Sequence, residues 1–241
     1  MPKGKYPAKR NYYGPVAKRA NIYGPATIQL AKDVAYLATL VNSEPKWHRT
    51  NAANNFNFNG AVVDLSAVPT GGSDDSWERS GQTILPRFLT FRCHLNKAIA
   101  GTSDHTTCRL IIFRYWGEDS TASSPAAPSP GDILENIGTQ YSPMSVLNRD
   151  NTGGRGDRQR RIEVLRSEQI TFDKVGVTCK DFTYNLEMNG SKVQKKEHIK
   201  FESNAAASAI SGGIYALFIS DVTTSTDMSY TMTSNLTFYD N

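Results

Sequence analysis

Residues 107–116 read TCRLIIFRYW. Leu110, Ile111, Ile112 and Phe113 are four consecutive apolar side chains, and β-branched and aromatic residues dominate the stretch, so its intrinsic preference is a strand. It is too long for a half-buried edge and too short to cross a bilayer. This predicts a central strand with both faces largely covered. Outward from it, strand-like runs recur at comparable length: 61–68 and 84–96 before it, then 161–173, 178–188, 192–201, 213–222 and 229–238 after it. Polar, Gly- and Pro-rich segments separate them. The layout predicts an all-β fold, a single eight-stranded antiparallel jelly roll of two packed sheets. Asn189-Gly190 between two of the runs predicts a hairpin. The last run alternates through Tyr230, Met232, Leu236 and Phe238, with Ser234 its one polar break. Lys46–Asn51 is a short polar strand candidate, and the Asn-rich 51–60 reads as a loop. Residues 69–81, 117–131 and 141–160 read as surface loops, with a helical turn begun by Asp132 between the second and third.

The bulk composition bounds the function classes. The chain has 241 residues, 39% hydrophobic and 21% charged, which fits a soluble folded protein with one sizeable core. No run of 18 apolar residues exists and no apolar h-region opens the sequence, so neither membrane insertion nor a signal peptide is expected. Cys93, Cys108 and Cys179 are isolated and odd in number, which suggests buried thiols from a reducing compartment. No catalytic set, metal site or cofactor motif is present. His48, His94, His105 and His198 are scattered, and Asp74, Asp75 and Glu78 lack the EF-hand spacing.

Charge is unevenly placed. Residues 1–19 hold six bases, Lys3, Lys5, Lys9, Arg10, Lys18 and Arg19, and no acid, whereas the rest carries 21 bases against 23 acids. Gly and Pro punctuate residues 1–25 too often for any element to run through them. Tyr6, Tyr12, Tyr13 and Tyr23 lie among the bases. Such an arm suits single-stranded nucleic acid, the cations meeting phosphates and the rings stacking on unpaired bases; the plain alternative is a solubilising tail. Residues 26–42 are the helix candidate, because Leu30, Val34, Leu37 and Val41 recur at helical spacing over 27–41 and form a stripe that must dock on a larger body or a neighbouring copy. The jelly-roll domain then occupies 43–241. Arg155, Arg158, Arg160 and Arg161 form a second basic patch, read either as a nucleic-acid or inter-subunit contact or as a solvated loop. Arg155-Gly156-Asp157 also matches the integrin-binding tripeptide, a short motif of low specificity.

The order of features resembles the capsid proteins of small circular single-stranded DNA viruses that encode a replication protein, the circoviruses and their unclassified relatives. Glu44-Pro45-Lys46-Trp47 looks like the E-x-K that leads into their first strand. Arg79-Ser80-Gly81-Gln82-Thr83-Ile84 resembles their R-x-G-x-x-I segment, and Leu110–Trp116 the strand that follows it. Asp132-Ile133-Leu134, Ser142-Pro143, Leu147-Asn148 and Val164-Leu165 resemble the segment that leads to the next strand. The similarity spans roughly residues 25–240, although this arm is sparser in arginine than theirs. The resemblance implies a non-enzymatic protein that assembles with itself into an icosahedral shell of sixty copies around circular single-stranded DNA. It implies a host-cell receptor, and nuclear import through Lys9-Arg10 and Lys18-Arg19. The rival reading is a cellular β-sandwich that binds carbohydrate or protein.

Overall fold

The computed structural model describes residues 30, 34, 45–71, 77–98, 104–116, 127–136, 141–148, 161–188, 198–201 and 209–240. The chain divides into two units, Met1–Glu44 and Pro45–Asn241. In the first unit, Leu30 and Val34 have helical backbone and exposed side chains. The rest of the helix expected over 27–41, like the arm, lies outside the described residues.

The second unit is nearly all β. Its strands are β1 (Pro45–Asn55), β2 (Ala61–Asp64), β3 (Thr83–Lys97), β4 (His105–Tyr115), β5 (Ile162–Asp173), β6 (Cys179–Glu187), β7 (Ile199–Phe201), β8 (Ala209–Ser211), β9 (Gly213–Ser220) and β10 (Met228–Asp240). They form two sheets, in both of which every strand pair is antiparallel. One runs β1-β10-β3-β7-β8, with β6 also paired to β3; the other runs β2-β9-β4-β5.

The quoted stretch is β4, hydrogen-bonded between β5 and β9 at the centre of the four-stranded sheet. Its two faces serve two cores. Leu110 and Ile112 meet Leu89, Phe91, Phe218, Met232, Leu236 and Phe238 between the sheets. Ile111 and Phe113 pack on the opposite face with Tyr215, Leu217 and Ile219 of β9. A half-buried strand would alternate; here consecutive apolar residues are needed because both faces are covered. Phe218 and Tyr230 stack across the sandwich with ring centroids 3.9 Å apart and planes within 2°.

What covers the second face is the described part of the long β4–β5 connection. Ser129 opens a helical turn, α1 (Pro130–Ile133), and its N–H and hydroxyl both donate to the Asp132 carboxylate, at 2.7 and 2.9 Å. Ile133 and Leu134 are buried there, and Tyr141 and Leu147 pack beside them. This corrects two expectations. The turn begins three residues before Asp132, which sits inside it. The excursion at 141–160 is not wholly a surface loop, since Tyr141 and Leu147 help to roof a sheet.

Other differences are local. The Asn-rich 51–55 continues β1, because each residue finds a partner on β10, as in Asn51↔Thr233 and Asn55↔Ser229. β2 stops at Asp64. β8 was not anticipated. β6 and β7 lie along β3, pairing with Phe88–Asn96 and Thr83–Ile84 respectively, and the described part of β7 pairs with β8, not β6. The Asn189-Gly190 hairpin turn lies outside the described residues. Gly212, at φ +76°, carries the chain from β8 in one sheet to β9 in the other within a single residue.

Candidate functional site

Of the predicted nucleic-acid residues, Lys3, Lys5, Lys9, Arg10, Tyr12, Tyr13, Lys18, Arg19, Arg155, Arg158 and Arg160 lie outside the described residues. Arg161 is described: its carbonyl accepts the Trp116 N–H at 2.9 Å just before β5 begins. The histidines do not converge. Nδ1 of His94 lies 2.7 Å from Asp181, and that of His105 lies 2.8 Å from Asp173 on the other sheet. His48 is half-buried, and burial lowers its pKa. Among the described residues no three His, Cys, Asp or Glu side chains are placed to hold a metal ion, and no helix is long and apolar enough to cross a membrane. Cys93 and Cys108 are buried, and burial pushes the Cys93 thiol up to about 12. Cys179 is exposed, against the expectation of a buried thiol.

Two clusters escaped the sequence reading. The first is a clasp where β1, β10 and the loop before β3 meet. Asp240 accepts hydrogen bonds from Lys46 Nζ at 3.2 Å, the Ser80 hydroxyl at 2.6 Å, the Ser80 N–H and the Gly81 N–H at 3.3 Å. Burial pushes the Asp240 pKa up, but the Ser80, Lys46 and Gly81 hydrogen bonds outweigh it and the net shift is downward. Arg79 next to it is fully buried. Its guanidinium lies over the Phe201 ring at 3.8 Å, and it donates to the carbonyls of Val68, at 3.2 Å, and Gly81. So the R-x-G-x-x-I segment has a physical basis. Arg79 ties down the loop, Gly81 supplies an acceptor for Arg79 and a donor to Asp240, and Ile84 enters the core.

The second cluster lies on the outer face of the larger sheet, where antiparallel register sets the rows. Trp47, Thr237 and Phe88 stand opposite one another across β1, β10 and β3; Arg49, Asn235 and Thr90 form the next row, and Asn51, Thr233 and Arg92 the one after. The inward positions of β10 are apolar apart from Ser234, so the outward ones are free to be Thr, Asn and Ser. An open hollow of about 440 Å³ is lined by Pro45, Lys46, Trp47, Arg49, Thr90, Asn235 and Thr237. Trp47 is 45% exposed and Phe88 49%, which leaves both rings available to a ligand. Arg49 donates to the Asn235 side chain at 3.2 Å and lies 5.8 Å from the Trp47 ring centroid. At a bulge β10 shifts register against β3 beside Arg87, whose carbonyl accepts the Met188 N–H at 2.8 Å and whose guanidinium lies 5.8 Å from the Tyr239 ring. The signal in the sequence was Trp47 and Arg49 two apart in a polar strand.

No family model matches the chain, and no curated protein matches it. Among solved structures it is similar to one of Desmodium yellow mottle tymovirus, with a TM-score of 0.35 at 9% identity over 82% of this chain and 88% of that one. It is also similar to structures of infectious bursal disease virus. For the Gx strain the TM-score is 0.15 at 9% identity, over 81% of this chain and 42% of that one. For the VP2 subviral particle it is 0.14 at 9% identity, over 82% and 42%.

Proposed function

We propose that the chain is a viral capsid protein, a jelly roll whose copies assemble into a closed shell. The order of motifs from Glu44 to Leu165 carries the capsid reading, and the strand order supports its jelly-roll part. β1-β10-β3-β6 and β2-β9-β4-β5 interleave the first and last strands with the middle ones, which is the pattern of two nested Greek keys and supports a jelly roll. Capsid and lectin-type domains both use that architecture, so the fold alone does not choose between them. The choice rests on the resemblance of the ordered motifs and on the basic arm that precedes β1. By that resemblance the shell holds sixty copies around circular single-stranded DNA, residues 1–25 face the genome, the loops at 69–81, 117–131 and 141–160 decorate the faces of the shell, and a host cell supplies a receptor. Its site of action is the virion, with import into the host nucleus for assembly.

Sizing of the purified full-length protein tests the reading. Closed particles of uniform diameter are expected under native conditions, visible by electron microscopy. A monomer at micromolar concentration across salt and pH would overturn it and favour the binding-module alternative.

A further inference from the structure

We infer that the hollow beside Trp47 is a binding site for unpaired bases of single-stranded nucleic acid, with Arg49 and Arg92 contacting the backbone phosphates. The inference rests on the reading of the chain as a protein that encloses a genome, and it adds to the arm a site on the folded domain.

Three features of the hollow and of the sheet face around it point to this ligand. The first is a pair of exposed flat rings. Trp47 and Phe88 flank Thr237, one strand to either side, which sets their strands about 10 Å apart. Every base offers a π-face, so such rings hold single strands without reading sequence. The second is the floor. Thr237, Asn235 and Thr90 are short and polar, so a planar ring can settle low over them and find hydrogen-bond partners at its edge. The third is charge. Arg49 in the hollow and Arg92 one row beyond Thr90 on β3 carry guanidinium groups on this face. The acids on the neighbouring β6 positions are Glu187, opposite Phe88, and Asp181, which His94 engages. A guanidinium matches a phosphate through paired N–H donors, and Arg49 is held by Asn235 in a position where it need not be ordered again on binding. A neutral glycan would use the Trp47 ring and has no call on the guanidinium groups of Arg49 and Arg92.

The test uses the full-length protein and its tryptophan fluorescence. Trp116 is buried and Trp77 is the other exposed indole, 44% exposed in the loop before β3. Titration with oligothymidylate is expected to quench the emission. Trp47→Leu should remove most of the quench and weaken binding about tenfold. Arg49→Gln should weaken binding and lower its salt dependence by about one counterion. Trp77→Phe should leave the quench in place. Equal oligonucleotide affinity in the wild type, W47L and R49Q would overturn the site while leaving the shell and arm readings intact. Quenching by a neutral oligosaccharide but not by oligothymidylate would assign the hollow to a glycan and overturn the inference. Particles that fail to form in W47L while oligonucleotide binding is unchanged would make this face a contact between copies, again overturning it. If full-length particles form yet bind no oligonucleotide, the enclosed-genome reading falls and this site falls with it.

Discussion

Buried charge on this chain is handled one residue at a time. Asp240 gathers a lysine, a hydroxyl and two backbone N–H groups, so its ionised form is favoured despite burial. Asp64 is the opposite case. Burial raises its pKa to about 6, and the hydrogen bonds from the Ser66 N–H and hydroxyl, at 2.8 and 2.9 Å, do not offset it. Below the ordinary carboxylate pKa both folded and unfolded chains carry the proton. Between about pH 4 and pH 6 the folded chain still holds it and the unfolded chain has released it, so raising the pH favours unfolding across that window. Above pH 6 the effect is complete, a loss of up to about 3 kcal/mol. Asp64→Asn should flatten the fall in urea midpoint from pH 4 to pH 6. A variant whose midpoint falls as steeply as the wild type would clear Asp64 of the effect.

At the scale of elements, what the sequence revealed and what it hid have separate causes. β4, β9 and β10 were legible because their burial is dense. Four consecutive apolar residues mark a strand covered on both faces, and alternation marks one covered on a single face. β1 runs past its sequence signal because Asn51–Asn55 offers the core only the small Ala52; its pairing is supplied by β10, nearly two hundred residues away. The roof over Ile111 and Phe113 was missed for the same reason, since a Ser- and Pro-rich segment packs a few apolar side chains, such as Ile133 and Leu134, without any periodicity. The outward face of β1, β10 and β3 was illegible because its rows exist only in register, and no local pattern brings Trp47 beside Phe88. The corner at Gly212 is an element-scale device of this kind. A Cβ there would sit 2.7 Å from the His198 carbonyl oxygen, and φ +76° disfavours any side chain; the Gly212 carbonyl also accepts Arg114 Nε at 3.1 Å. Gly212→Ala should cost about 1–3 kcal/mol, read from the denaturation midpoint. An unchanged midpoint would mean that the crossing between sheets tolerates a different backbone.

For the molecule as a whole, the arm and the β unit are proposed to divide the work. Residues 1–24 carry six bases, enough to release up to about six counterions per engaged arm, so nucleic-acid binding should weaken steeply with salt. Deleting residues 1–24 should leave the urea midpoint of the β unit unchanged, because none of its strands begins before Pro45. The same deletion should remove most of the nucleic acid from purified particles, measured by their absorbance ratio at 260 and 280 nm. Equal content in both proteins would move packaging to Arg155, Arg158, Arg160 and Arg161 or to the face around Trp47.

The pairing of β1 with β10 also fixes a schedule. On the ribosome, β1 is made well before β10, and among the described strands its one hydrogen-bonding neighbour is Met228–Asp240. β10 then fills the gap between β1 and β3 in one step, closing contacts of very long sequence separation, which makes for slow folding. Until that moment both strands present open edges at which a second nascent chain can add a strand of its own. Exposure of β1 and β3 to strand addition from another chain therefore lasts until β10 is made and docked between them.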